Sequence, residues 1–514
     1  MRIIAYKTSL QNGKVLIEES GGESAQDKNL DHLFAFLLEP YEDGIKVCWD
    51  LDATVSLILR LMGEKACHDL QKRKRAYMPP FNIWYYPGKV FILRHIPTGQ
   101  KCNLYGLEQY YPELPDPGAV DEVQMLGVKL MRELEKMGMV PTKLTSPIAI
   151  YDQCVMSKLD LPKLKDIPGK CAEYAYRTAG RLWIEAHKLG WFGEVYDYDL
   201  SSAFPEVAKE LIDVRDLRWV KSPDYKPGAI YGYVRCVVTI YDWVMVSPII
   251  RETEEALISP TSTWEEFLTK GELDFITKHG IGEYKILEGY WAYLKIKKEL
   301  RRPLEEPLEK LLAYKQGTEL QRLLAKRMAT GIYGKSLEDW EDLFGTYFNP
   351  VWGSEISTQA RLQVAETLYA HGIGPGDNEG YRSLIQIGVD GFMMDEPVEI
   401  EDGQWKMAYQ GEALVIGSGL VYTQLTKPKG LKLNDVLAMI EEHPRRNIYQ
   451  KNIERRLTLG DSLSRNRLNE IGNKMLFSTS INLLTQEHDR EFKKVPQTGQ
   501  QLLNKHYKSE PIKV

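Results

Sequence analysis

The run VYDYDLSSAFP, Val195–Pro205, constrains this chain more than any other stretch. In an extended strand successive side chains alternate, so Asp197 and Asp199 share one face and Tyr196 and Tyr198 the other. Two carboxylates on one face repel unless a cation or hydrogen bonds compensate them. Surface aspartates on an edge strand would give the same pattern, but the apolar and aromatic neighbours point to a buried strand. Carboxylates at the end of such a strand suit Mg²⁺, which takes oxygen ligands and keeps positions open for phosphates.

A second carboxylate comes from IQIGVDGFMMD. Asp390-Gly391 between two strand-like runs is a strong hairpin signal, which places Asp390 at or beside a hairpin tip. Taken alone, Asp390 reads as turn chemistry; paired with the first strand, it offers a ligand from a second strand. Two such carboxylates can clamp two metal ions. A third segment, TELQRLLAKRMATGIYGKS, opens with a capping box, Thr318 with Gln321, so a helix starts there. Arg322 and Lys326 are four apart and share a face, with Tyr333 continuing the stripe. Like charges at that spacing are usually a solvated face, and are favourable when they face an anion. Tyr333-Gly334 offers a flat surface for a base pair.

The chain has 514 residues, enough for about three to five domains or subdomains. Apolar content of 43% and charge of 27% describe an ordinary globular protein. Six cysteines form no CxxC pair, which argues against a zinc site and a disulfide framework and fits a reducing cytosol. The N-terminal stretch lacks a signal-peptide pattern and no run is long enough to span a membrane, so a cytoplasmic protein is expected. Net charge is −6, yet Lys427–Val514 carries 17 Lys+Arg against 10 Asp+Glu. A basic terminal region becomes meaningful if the remainder handles phosphates.

The first ~140 residues read as α/β. GIKVCWDL and KVFILRHI are expected strands, and ATVSLILRLMG a helix closed by Gly63. Residues 141–170, rich in Pro and Lys, read as a linker. GAIYGYVRCVVTIYDWVMVSPII gives strands, and helices are expected over 304–315, 319–331 and SEISTQARLQVAETLYAHG. The basic end is expected to be mostly helical.

In this order the three segments resemble the family B DNA polymerases, nearest the compact phage, plasmid and protein-primed members. DLSSAFP resembles their motif A, Asp-x-x-Ser-Leu-Tyr-Pro. That implies Asp199 as a metal ligand, triphosphate contacts around Ser202, and Phe204 as the gate that rejects a ribose 2′-OH. KRMATGIYG resembles motif B, Lys-x-x-x-Asn-Ser-x-Tyr-Gly. It implies Lys326 as the triphosphate lysine, Arg322 as a second cation and Tyr333 as a contact to the nascent base pair. GVDG resembles motif C, Asp-Thr-Asp-Ser, with Asp390 as the second metal ligand and Gly388 where the first aspartate belongs. LTKPKG, with Lys427 and Lys429, is similar to the segment that holds the primer terminus. YRTAGR, ending at Arg181, is similar to a template-binding element.

The resemblance implies a mixed α/β right-hand polymerase after an RNase H-like exonuclease-derived domain. The expected divisions are 1–140 (degenerate exonuclease), 141–190 (linker and template-binding segment), 191–300 (palm), 301–335 (fingers), 336–415 (palm) and 416–514 (thumb). Where the nuclease motifs would lie, the chain has Lys7 and Ser9, retains Asp50 and Asp52, and has Gly106. A lysine at a ligand position repels the metal, so loss of 3′→5′ exonuclease activity is expected. The expected function is template-directed DNA synthesis from dNTPs on a primer-template, with two Mg²⁺ ions (or Mn²⁺), by a monomer. A terminal protein or a primase would be the priming partner. The alternatives are a catalytically inactive nucleic-acid-binding protein, suggested by Gly388, and a primer-independent nucleotidyl transferase, against which Phe204 counts.

Overall fold

The computed structural model describes residues 2–12, 14–39, 44–295, 300–340, 343–400, 403–483 and 488–514. The chain divides into two compact units, each assembled from separated stretches. The first is Met1–Leu159, Lys310–Ala329 and Asn452–Phe477; the second is Asp160–Glu309, Thr330–Lys451 and Ser478–Val514.

The first unit is built on an eight-stranded mixed sheet. Arg2–Gln11 lies parallel to Gly44–Cys48, which lies parallel to Lys101–Gly106. Antiparallel strands extend both edges, and the expected strands GIKVC and VFILRH are both present. The helix Leu51–Leu61 forms as its apolar spacing demands. It ends at Met62, and Gly63 instead begins the next helix, Glu64–Arg73. The stretch read as a linker also holds a helix, Pro147–Cys154. Ser146 caps it and proline occupies its first turn, where the missing N–H costs nothing.

The second unit centres on an antiparallel sheet. Its main path runs Leu420–Tyr422, Trp405–Gly417, Lys188–Leu200, Gly391–Met394, Leu384–Ile387 and Glu185–Ala186. The strand Tyr507–Glu510 joins the beginning of Lys188–Leu200. A separate four-stranded sheet orders Leu217–Lys221, Gly282–Leu294, Tyr231–Ile240 and Ser262–Thr269. The helix Pro350–Ala370, capped by Asn349, is buried on almost every side. Its Ala360, Leu362, Val364 and Leu368 join one core with Tyr198, Leu200, Phe392 and Trp405.

The helix Glu319–Ser336 starts at the capping box read from the sequence. Thr318 N–H donates to Gln321 Oε1 at 3.1 Å, and Gln321 N–H to Thr318 Oγ1 at 3.3 Å. It follows Glu305–Ala313 after the one-turn helix Tyr314–Gln316. The basic end is less helical than expected. Ile448–Arg456 and Lys474–Asn482 form a two-stranded ribbon, and the helices beside it are short. Its dense charge hides the strand pattern, because a solvated ribbon buries few side chains. Among the described residues, no helix is long and apolar enough to cross a membrane.

Candidate active site

The site forms where the strand Lys188–Leu200 meets the hairpin 384–394. Tyr198 is buried and stacks on Phe392, with ring centroids 5.4 Å apart, so that face of the strand is committed to the core. The aspartates on the opposite face stay partly open. Asp199 pairs across the sheet with Gly391, and Leu200 N–H donates to Asp390 O at 2.7 Å. Asp390, the last residue of the hairpin turn, is therefore carried to the side of Asp199.

Gly391 makes that approach feasible. A Cβ there would lie 2.3 Å from the carbonyl oxygen of Tyr198, closer than any side chain tolerates. Asp-Gly signals the hairpin, and its glycine also serves the close pairing of two strands.

Asp197 shares the strand face with Asp199. Burial first, then the charges of Asp199 and Asp390, push its carboxyl up to about 7. Among the described residues, no group of three or more His, Cys, Asp or Glu side chains is placed to hold a metal ion. Asp199 and Asp390 are oxygen donors of the kind Mg²⁺ takes, and an ion held by them would need phosphates and water for its other ligands.

The chain leaves the strand through Ser201 and Ser202. Ser202 takes a left-handed backbone, φ 60°, and starts the short helix Ala203–Lys209. That turn presents Phe204 against Tyr333, with ring centroids 4.7 Å apart. Two aromatics 129 residues apart in sequence, singled out separately, are therefore in contact. Arg322 and Lys326 lie exposed on one face of Glu319–Ser336, in line with Thr330 and Gly334. They belong to the first unit, whereas Tyr333 and the aspartates belong to the second.

No family model matches this chain, and no curated protein sequence does. Solved structures do. Phi29 DNA polymerase complexed with primer-template DNA and incoming nucleotides matches with a TM-score of 0.59 at 11% identity, covering 94% of this chain and 100% of that one. The same polymerase with primer-template DNA alone gives 0.58 at 11% identity, over the same shares of both chains. With single-stranded DNA it gives 0.56, again at 11% identity and the same coverage. The chain has a DNA polymerase fold.

Within that fold, two expected DNA contacts differ in kind. Lys427 and Lys429 are exposed, and Lys429 sits in a left-handed turn, φ 54°. Arg181 does not fit the template contact expected of it. Its side chain is buried, bonded to Glu266 Oε1 at 2.7 Å and to the carbonyls of Ile250 and Phe267. An arginine among apolar neighbours is retained when a carboxylate and carbonyls satisfy it, and this one ties a loop to a sheet.

The residues at the expected nuclease-motif positions lie in the first unit. Lys7 Nζ donates to the Gly118 carbonyl. Asp50 caps the helix Leu51–Leu61 through Ala53 N–H at 2.8 Å and pairs with Arg456 at 3.1 Å. Asp52 accepts from Tyr85 OH at 2.6 Å and Gly88 N–H at 2.7 Å. A cavity of about 190 Å³ lies beside Lys7, Asp50, Arg60 and Arg456. Both surviving aspartates are thus engaged by the protein itself.

One residue of the site went unread. Lys406, on the strand Trp405–Gly417, stands opposite Asp199, with Nζ 3.8 Å from Oδ2. No motif flags it, because its position depends on an irregularity in strand pairing.

Proposed function

We propose that this chain is a template-directed DNA polymerase of the family B type that lacks proofreading. The observation that carries the reading is the pairing that brings Asp390 beside Asp199 while Phe204 meets Tyr333. In this reading residues 191–300 and 336–415 are the palm, 301–335 the fingers and 416–514 the thumb. The reaction joins the primer 3′-oxygen to the α-phosphorus of a dNTP and breaks the bond to the β-phosphate, releasing pyrophosphate; the hydroxyl proton passes to solvent.

Asp199 and Asp390 would hold divalent ions, Mg²⁺ first, which when bound favour the attacking oxygen and neutralise the leaving pyrophosphate. Lys326 and Arg322 neutralise the triphosphate. The Ser202 turn fixes Phe204, whose ring fills the space a 2′-hydroxyl would need. Lys427 and Lys429 hold the primer strand by its phosphates. The primer is RNA, DNA or a terminal protein, or the enzyme initiates alone. In the first unit, Lys7 stands where a nuclease would need a metal ligand, and Arg456 pairs with Asp50, so excision is lost.

The test is extension of a labelled primer on a DNA template with Mg²⁺ and either dNTPs or NTPs. Templated dNTP extension lost in both Asp199→Ala and Asp390→Ala is the expected result. Gly388, where the family has a carboxylate, favours a second reading, a nucleic-acid-binding protein without catalysis. Tight DNA binding by a wild-type protein that extends no primer, with or without added priming partners, would establish it.

A further inference from the structure

The pairing between Lys188–Leu200 and Trp405–Gly417 is irregular at the site. Asp197 lies opposite Tyr409, but Tyr198 lies opposite Met407 and Asp199 opposite Lys406. An extra residue, Ala408, is accommodated between them. Regular pairing from Tyr409 onward would have put Met407 across from Asp199. The bulge replaces it with a lysine, and residues directly opposite on antiparallel strands present their side chains to the same face. Bulges are enriched beside active sites because they re-aim a side chain in this way. Here the re-aimed group is an ammonium 3.8 Å from a carboxylate oxygen of Asp199.

This ammonium must be weighed against the metal requirement of the proposed polymerase, on which the inference rests. Two divalent ions bring four positive charges. The chain offers Asp199 and Asp390, with Gly388 at the position of a further family carboxylate. Both side chains are partly exposed, and a positive charge within about 4 Å of a metal ligand still opposes a second divalent ion, since the repulsion is only partly screened at that range.

We propose that Lys406 stands in for one of the two divalent charges, so that this site holds a single tight divalent ion beside a resident ammonium. Lysine is suited to the part. It is a compact point charge on a flexible stem, able to donate to a carboxylate or to a phosphate oxygen. It supplies charge and hydrogen bonds, and leaves ligation to Asp199 and Asp390.

Mn²⁺ binding to the full-length protein, without DNA or nucleotide, tests this through the electron paramagnetic resonance signal of free Mn²⁺. The wild type should bind one tight equivalent that Asp199→Asn removes. Lys406→Met should bind a second ion, or the first at least about tenfold more tightly, and Lys406→Arg should resemble the wild type. Circular dichroism confirms that each variant is folded. Identical titrations of wild type and Lys406→Met would overturn the proposal. So would two tight ions in the wild type, or binding that ignores Asp199. Primer extension by the same preparations reads the polymerase assignment separately: its failure with these titrations intact would remove the polymerase and leave the ammonium's effect on ion binding standing.

Discussion

At the scale of residues, the site depends on what is absent as much as on what is present. Gly391 is the clearest case. Gly391→Ala places a methyl group against the Tyr198 carbonyl, and backbone on both sides leaves little room to yield. It should cost on the order of 1–3 kcal/mol and lower primer extension more than an alanine on the helix surface would, because it separates Asp390 from Asp199. Thermal melting and extension assays on one preparation check both parts. A second case is Glu355, buried on the helix Pro350–Ala370, where Tyr233 OH donates to it at 3.0 Å and Gln359 at 3.3 Å. Burial pushes its carboxyl up to about 7, against those two hydrogen bonds. The folded state therefore keeps a proton that the unfolded chain releases above about 4.5, and stability falls as pH rises from about 4.5 to 7. Glu355→Gln should remove about 3 kcal/mol of that dependence, read as urea midpoints at pH 5 and pH 8 that converge in the variant. Asp199, Asp390, Phe204 and Tyr333 were legible in the sequence because each sits in a short pattern with its own local chemistry. Lys406 and the buried state of Arg181 were not. The first depends on a bulge in a partner strand, and the second on carbonyls at Ile250 and Phe267, which no neighbouring residue announces.

At the scale of elements, the proposed function divides the helix Glu319–Ser336 into a part that holds the fold and a part that would meet the triphosphate. Its first turn is held by Thr318 and Gln321, and its exposed stripe carries Arg322 and Lys326. Thr318→Ala should cost about 1 kcal/mol of stability and leave the dNTP KM near its wild-type value. Lys326→Ala should do the reverse, raising that KM by roughly 10–100-fold, the worth of a charge-assisted hydrogen bond. Steady-state kinetics beside melting curves separates the two. The capping box made this helix start readable to the residue. The basic ribbon Ile448–Arg456 with Lys474–Asn482 was misread as helical, since strand pairing between distant segments leaves no local mark when few of its side chains are buried.

At the scale of the whole molecule, a chain of net charge −6 binds nucleic acid only through a local basic surface. The double variant Lys427→Ala/Lys429→Ala should weaken primer-template binding at every sequence and reduce the slope of log affinity against log salt by about 1–2. Fluorescence anisotropy across a salt series measures it. The first unit, with Lys7 and Arg456 where a nuclease needs metal, should leave a mismatched labelled primer uncut in Mg²⁺, as a gel would show.

The strand Tyr507–Glu510 completes the picture in another way. It hydrogen-bonds to the opening residues of the strand that ends in Asp199, about 320 residues earlier in the chain. During synthesis, the aspartate strand is made roughly 15–60 s ahead of this partner. Until residues 507–510 follow, Lys188 and Leu189 at the start of that strand lack their partner and are open to other chains. The sheet that bears the aspartates is thus finished only once residues 507–510 have been made, and a chain cut short before them would keep both aspartates while their strand lacked this neighbour.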